Sequence, residues 1–238
     1  MADFHGTNIL ILGGDGFCGW PTALRFSELG ANVSILDNGS RRTLDVKLNI
    51  ASVTEIESLK ARVKAWYAET GRKIDIYNVD LAHDYAALVR ALQEVKPDIV
   101  IHCAEQRSAP FSLMSSEGAR YSIDNNISAT HNLLAAFVEA ETDAHLLHLG
   151  TIGVYGYATA GLRLPEGYLH VTAHGSDGRA IEKEILYPGE PDSVYHLSKV
   201  LDQQLCAYYV RRHGRTITDV HQGVVWGSQT VETSRAPA

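Results

Sequence analysis

Residues 7–37 read TNILILGGDGFCGWPTALRFSELGANVSILD, and no other stretch restricts the fold of this chain so tightly. NILILG has the length and β-branched content of a buried strand. Gly13, Gly16 and Gly19 then lead into a segment of helical period from about Gly16 to Leu29, and NVSILD is a second strand. Where a buried strand turns into a helix, the three glycines can serve three ends, namely a tight turn, close approach of the backbone to a pyrophosphate, and close packing of helix on sheet. The helix amino terminus would offer N–H groups and the positive end of its dipole to the phosphates. The spacing alone is weak evidence, because 20 glycines are spread over 238 residues; the flanking strand and helix carry the reading.

The rest of the chain repeats the alternation. An excursion with the helix-like SVTEIESLKARVKAWYAET precedes the strand KIDIYNV, the helix DYAALVRALQEVK, the strand DIVIHCAE and a helix over residues 126–140. HLLHLGT as a strand, YHLSKVLDQQLCAYYVRRHG as a helix and TITDVHQGVVWG as a strand complete the series. Strand and helix in alternation predict an α/β fold, a Rossmann doubly wound parallel sheet with helices on both faces. No repeat, low-complexity tract or linker divides it. Residues 1–238 therefore read as one nucleotide-binding domain with insertions at about 40–70 and 155–192.

A net charge of −7 with no run of Lys or Arg argues against a nucleic-acid groove or an anionic membrane surface as the main partner. No apolar stretch has membrane-spanning length, and MADFHGTN lacks the basic segment and apolar core of a secretory signal, so a cytoplasmic location is expected. Cys18, Cys103 and Cys206 are scattered without C-x-x-C spacing, which suggests buried thiols and neither a disulfide framework nor a metal site.

Asp37 closes the second strand 18 residues after Gly19, where a carboxylate can accept hydrogen bonds from an adenosine ribose. That favours NAD over NADP, although Arg41 and Arg42 follow closely and suit either the extra phosphate or the pyrophosphate. Tyr195 and Lys199 stand as Y-x-x-x-K on a predicted helix, where residues four apart share a face. An ammonium beside a phenol stabilises phenolate, lowering its ordinary pKa of about 10 toward the range a general base needs. Thr151, at a strand end, can hold a carbonyl or a sugar hydroxyl. Taken singly these are a surface pair and a loop hydroxyl; after a dinucleotide fingerprint they read as a hydride-transfer site.

GGDGFCGW, Asp37, VDL at 79–81, HCAE, Thr151 and Y-x-x-x-K together resemble the extended short-chain dehydrogenases/reductases, the group that modifies nucleotide sugars. LDNGSRR, AEQRSAPFS, NN at 125–126, LGTIGVYG, EGYL, YHLSK and QGVVWG resemble, more narrowly, the UDP-sulfoquinovose synthase family across essentially the whole chain, including a hairpin before Tyr195. The resemblance implies that NAD is held by Gly13, Asp15, Gly16, Phe17, Cys18 and Gly19, by Asp37, Asn38, Arg41 and Arg42, and by Ala104, Tyr195 and Lys199. Asp80 and Leu81 would flank the adenine. Gln106, Arg107, Ser108, Asn126, Thr151 and Gln222 would face a UDP-sugar; Arg107 suits sulfite or a sugar hydroxyl, and Asn126 a bracing role.

The implied chemistry is a redox-neutral cycle on UDP-glucose. The sugar is oxidised at C4, which acidifies the C5 proton. The C6 hydroxyl is eliminated, sulfite adds at C6, and returned hydride restores the alcohol. Tyr195 would take the C4 hydroxyl proton, Lys199 lower its pKa and hold the nicotinamide ribose, and Thr151 orient the C4 oxygen. His196 would be an acid/base group or a sulfite contact, against a plain helix-packing role. Homodimers through helices around Asn126 and Tyr195 are common in the group.

Two departures stand out. The family's threonine is followed by methionine and, two positions later, by glutamate, where this chain has Ile152 and Val154. The chain also stops at VETSRAPA, where relatives continue into a smaller carboxyl-terminal substrate domain, here expected to be truncated or missing. A nucleotide-sugar 4-epimerase or 4,6-dehydratase, and a catalytically inactive NAD-binding subunit, are the alternatives.

Overall fold

The computed structural model describes residues 3–52, 55–156, 168–187 and 189–225. Among the described residues, eight strands and seven helices run in the order β1 (Asn8–Leu12), α1 (Gly19–Glu28), β2 (Asn32–Leu36), α2 (Ser40–Lys47), α3 (Leu59–Thr70), β3 (Ile74–Tyr77), α4 (Tyr85–Val95) and β4 (Ile99–His102). They continue as α5 (Ala109–Met114), α6 (Ser116–Glu139), β5 (His145–Thr151), a short 3-10 turn (Ile152–Tyr155), β6 (Tyr168–His174), β7 (Ala180–Leu186), α7 (Val194–His213) and β8 (Ile217–Gln222). Six strands form one sheet in the order β3-β2-β1-β4-β5-β8, and their pairings are parallel. The Rossmann reading of the sequence is thus the observed fold.

Successive side chains of a strand point to opposite faces, and β1 uses both. Leu10 and Leu12 join Leu88, Leu92, Leu133, Leu134 and Phe137 beneath α4 and α6. Ile9 and Ile11 join Val33, Ile35 and Ala23, with Trp20, Val63 and Trp66 of α1 and α3 closing the other side. A strand covered on both faces is apolar at nearly every position, which is why NILIL shows no alternation.

The strands lie where the sequence predicts them, within a residue or two at most ends. The helices depart more. The helix expected over residues 52–70 forms only from Leu59, where the Ser58 hydroxyl caps it by accepting the Ala61 N–H at 3.2 Å. α6 begins ten residues before the expected Asn126, because Ser115 caps it through Gly118 N–H at 3.0 Å. Its first turns, SEGARYSIDN, are polar and carry no apolar period. α2 and α5 are short and were not expected. The hairpin before Tyr195 is present as antiparallel β6 and β7, with largely exposed side chains. Much of its approach, residues 157–167, and the tail after Val225 lie outside the described residues, as do parts of the EGYL and QGVVWG stretches.

The order of the central sheet reverses between β1 and β4. In open α/β sheets the carboxyl ends of the strands on either side of that point enclose a crevice for ligands.

Candidate dinucleotide and hydride-transfer site

On the β1 side of the crevice, Gly13 turns the chain at φ 77° and donates its N–H to Leu36 O at 2.8 Å. A Cβ on Gly13 would lie 2.8 Å from Ala104 Cα, and one on Gly19 would collide with the Gly13 carbonyl, so the turn leans on the backbone after β4 and α1 packs onto the turn. Cys18 caps α1 without a side-chain hydrogen bond, and Phe17 beside it is half exposed. An uncapped helix amino terminus behind a glycine turn fits a pyrophosphate. Asp37 accepts Asp15 N–H at 2.9 Å on Oδ2 and Gly39 N–H at 2.7 Å on Oδ1. Each carboxylate oxygen has a second lone pair, so acceptors for ribose hydroxyls remain. Asn38 donates to Asp80 at 2.9 Å across the ends of β2 and β3, above buried Leu81.

The arginines after β2 both pair with carboxylates of the chain. Arg42 pairs through two nitrogens with Asp15, inside the glycine turn, and donates to Ile56 O at 3.0 Å. Arg41 pairs with Asp45 along α2 at 3.5 Å. Asp15 is 5% exposed and has a second cation, Arg62 of α3, whose guanidinium lies 4.4 Å above the Trp20 ring. The segment between β2 and β3 is therefore tied back onto the turn through one carboxylate. Arg62 and Trp20 were not among the expected residues, and only the bare acid in a glycine turn hinted that a counter-charge was needed.

On the β4 and β5 side, Thr151 ends β5 with its hydroxyl accepting Gly153 N–H at 3.1 Å. Ser193 caps α7 by accepting His196 N–H at 3.1 Å, and Tyr195 N–H donates to the Ser112 hydroxyl at 3.2 Å. Tyr195, His196 and Lys199 are all buried on this helix. The His196 ring packs against Gly153, and burial lowers its pKa, keeping it neutral. Gln106 and Ser108 brace the loop after β4: the Gln106 amide donates to Ser108 O at 3.0 Å, and Ser108 caps α5. Asn126 is fully buried and saturated. Its oxygen accepts Gln106 N–H at 2.8 Å and the Asn125 amide at 3.1 Å, and its nitrogen donates to Gln106 O at 2.9 Å and Ser198 Oγ at 3.0 Å. All its donors and acceptors are used, and Asn126 braces α6, α7 and the loop against one another. Arg107 is exposed near Cys18, whose thiol it acts to lower against the raising effect of burial. Gln222 ends β8 opposite Thr151 in the register.

Beneath Tyr195 lies a cluster that sequence reading missed. The Lys199 ammonium meets Glu105 Oε2 at 2.6 Å and donates to Leu149 O at 2.7 Å. Glu105 Oε1 accepts the Thr130 hydroxyl at 3.1 Å and lies 3.2 Å from His148 Nε2; His148 Nδ1 lies 2.8 Å from Asp219 Oδ1. Burial and the Lys199 charge oppose an imidazolium at His148, yet its hydrogen bonds to Asp219 and Glu105 outweigh them and raise its pKa to about 9. Burial opposes the charge on Glu105 too, but Lys199 holds its carboxyl well below the usual range. Lys199 is held above its ordinary value by Glu105 and Asp202, with Tyr195 contributing, despite burial. Burial and the Glu105 charge push the Asp202 carboxyl well above the usual range, and burial lowers His102 to about 3. Glu105, His148 and Asp202 bring ligand-type atoms within 4.8 Å of one another, but Lys199 Nζ stands 3.4 Å from His148 Nε2 and supplies the positive charge there.

The sheet order and the polar groups gathered at its carboxyl edge define a Rossmann domain of the extended short-chain dehydrogenase/reductase class. The chain belongs to the NAD dependent epimerase/dehydratase family, which it matches over residues 9–235, and NAD is the cofactor of that family. It is 38% identical over 226 residues to the chloroplastic UDP-sulfoquinovose synthase of Spinacia oleracea, covering 95% of this chain and 45% of that protein. It is 34% identical over 225 residues to the UDP-sulfoquinovose synthase of Sulfolobus acidocaldarius, covering 94% of this chain and 55% of that one. The chain thus spans about half the length of the curated relatives it matches. The fold is also that of UDP-glucose 4-epimerase from Brucella ovis, solved with NAD, at 23% identity and a TM-score of 0.63 over 90% of this chain and 51% of that one. Among the described residues no helix is long and apolar enough to cross a membrane.

Proposed function

We propose that this chain carries the NAD-binding and hydride-transfer half of a UDP-sulfoquinovose synthase-type enzyme acting on UDP-glucose and sulfite. The observation that carries the reading is Lys199, buried one helical turn from Tyr195 and beside the end of β5 where Thr151 sits. Glu105 and Leu149 O anchor the Lys199 ammonium, with His148 Nε2 at 3.4 Å, so that its charge acts on the Tyr195 phenol and, in this reading, holds a ribose hydroxyl. NAD, when bound, accepts hydride from the sugar C4 and later returns it. Tyr195 accepts the C4 hydroxyl proton and gives it back, Thr151 orients the C4 oxygen, and the Asp37 carboxylate holds the adenosine ribose. Neutral His196 is poised to take and return the C5 proton. Exposed Arg107, near Cys18 of the glycine turn, is the oxyanion contact for sulfite. The exposed apolar row Leu197, Leu201 and Tyr208 along α7 supports a homodimer.

A second reading, a 4-epimerase or 4,6-dehydratase, is favoured by Val154. Its side chain is 2% exposed, in place of the glutamate that the synthase resemblance leads one to expect. Mass spectrometry of UDP-glucose incubated in heavy water with the protein and NAD, with and without sulfite, separates the readings. Deuterium at C5 and a sulfonated product only with sulfite are expected. C4 epimerisation without C5 exchange, or loss of water without sulfite, moves the assignment to the second reading. Full activity in Tyr195→Phe would remove the hydride site itself.

A further inference from the structure

A central strand buried on both faces normally offers Val, Ile or Leu to its neighbours. Three adjacent strands of this sheet instead place titratable groups side by side on one face. His102 of β4 pairs in register with His148 of β5, and His148 with Asp219 of β8. His221, two residues on, lies on the same face and meets Asp219 Oδ2 through Nε2 at 3.0 Å and the Tyr155 hydroxyl through Nδ1 at 2.8 Å. A Cβ on Gly150, the register partner of His221, would overlap Asp219 Oδ1 and come within 3.1 Å of the His221 ring, so the missing side chain makes room for the row.

Charges alternate along the line Lys199, Glu105, His148, Asp219, with side-chain exposures of 4%, 4%, 0% and 17%. A buried ion pair is a weak stabiliser, because desolvation offsets its attraction and apolar packing does as well. The row therefore has a reason other than stability, and its one end touches the lysine beside Tyr195. We propose that Glu105, His148 and Asp219 are positioning residues that fix the Lys199 ammonium and set the net charge acting on the Tyr195 phenol. This inference rests on the reading of Tyr195 as the general base.

The balance is specific. Lys199 alone would stabilise phenolate strongly. Glu105 cancels that charge, and His148 as an imidazolium offsets Glu105 while Asp219 steadies it. Besides Glu105 and Asp219, His148 faces the Lys199 ammonium at 3.4 Å, Asp202 of α7 at 3.9 Å and the ring of His102 of β4 at 5.7 Å between centroids. Removing the anion nearest Lys199 and removing the cation behind it must move Tyr195 in opposite directions, whereas a purely structural role has no such sign.

The test is direct titration of the full chain, without turnover. With ¹³Cζ-labelled tyrosine and ¹⁵N-labelled histidine, NMR follows Tyr195, assigned through Tyr195→Phe, and His148. Glu105→Gln should lower the Tyr195 midpoint by about one pH unit, an about tenfold change in its ionisation constant, and His148→Gln should raise it by a similar amount. Should Glu105→Gln not fold by circular dichroism, Asp219→Asn serves in its place: it should drop the His148 midpoint below 6.5 and raise that of Tyr195. Unmoved Tyr195 midpoints, or shifts of one sign in both Glu105→Gln and His148→Gln, overturn the proposal. NAD-dependent turnover of Tyr195→Phe tests the hydride-site reading separately.

Discussion

The two halves of the sheet use polar residues in opposite ways. In β1 and β2 the strand interiors are almost wholly apolar, and apart from Asp75 on β3, which pairs with exposed Lys73, the charges of this half sit beyond the strand ends, at Asp15, Asp37, Asp80, Arg42 and Arg62. In β4, β5 and β8 the titratable groups stand within the strands or directly under them, with neutral His102 beside the charged His148, Asp219, Glu105 and Lys199. The first half presents backbone N–H groups and lone pairs to a ligand that arrives. The second must hold a lysine charged beside a phenol in a place water does not reach. Binding a dinucleotide needs a shaped edge; moving a proton and a hydride needs a governed field inside the fold.

The comparison predicts that substitutions in the second half cost more stability. Lys199→Met leaves Glu105 ionised and buried without its partner, which should cost about 3–5 kcal/mol in urea denaturation. Asp37→Ala, at the strand end, should cost far less stability yet weaken NAD binding. Equal losses from both would erase the distinction. A pH series sharpens it further. His148 has a folded pKa raised to about 9 against an ordinary value near 6.5, so its contribution to stability is complete below the unfolded value. That contribution drains away as pH rises through about 9. The melting temperature should therefore fall across that window, and His148→Gln should flatten the fall.

The nucleotide half was legible because its parts are near one another in sequence. Gly13, Gly16, Gly19 and Asp37 all act within one strand–turn–helix–strand unit. Tyr195 and Lys199 were legible for the same reason, four residues apart on one helix. The charged row was not. Glu105, His148, Lys199 and Asp219 are brought together only by the register of β4 on β5 and β5 on β8, and a shift of one residue would turn each strand's side chains to the other face. The local trace is a histidine inside IVIH and HLLH, at places where a buried strand wants a branched aliphatic, and an aspartate inside ITDVHQ. α6 reads too short in the sequence because its capped first turns carry few apolar residues and no apolar period, and tertiary contacts rather than periodicity keep them helical.

Within the nucleotide half, effects should scale with how closely backbone approaches backbone. Gly19→Ala drives a methyl into the Gly13 carbonyl and should cost about 1–3 kcal/mol, with NAD affinity falling alongside as the turn is displaced.

Arg62→Ala should have the smallest effect. The substitution removes a cation from Asp15 and the guanidinium from the Trp20 face, but Arg42 still grips the same carboxylate through two nitrogens. The Arg42 side chain is 34% exposed, so solvent and salt reach the remaining pair. A loss of about 1 kcal/mol or less follows, shrinking as salt is raised, and urea denaturation at two ionic strengths measures it. Because Asp15 N–H donates to Asp37, any loosening of the turn should appear as weaker NAD binding before it appears as lost stability. A larger stability loss from Arg62→Ala than from Gly19→Ala would mean that the segment between β2 and β3 holds the nucleotide edge together. The two halves of the sheet would then differ in where their charges lie but not in how much of the fold depends on them.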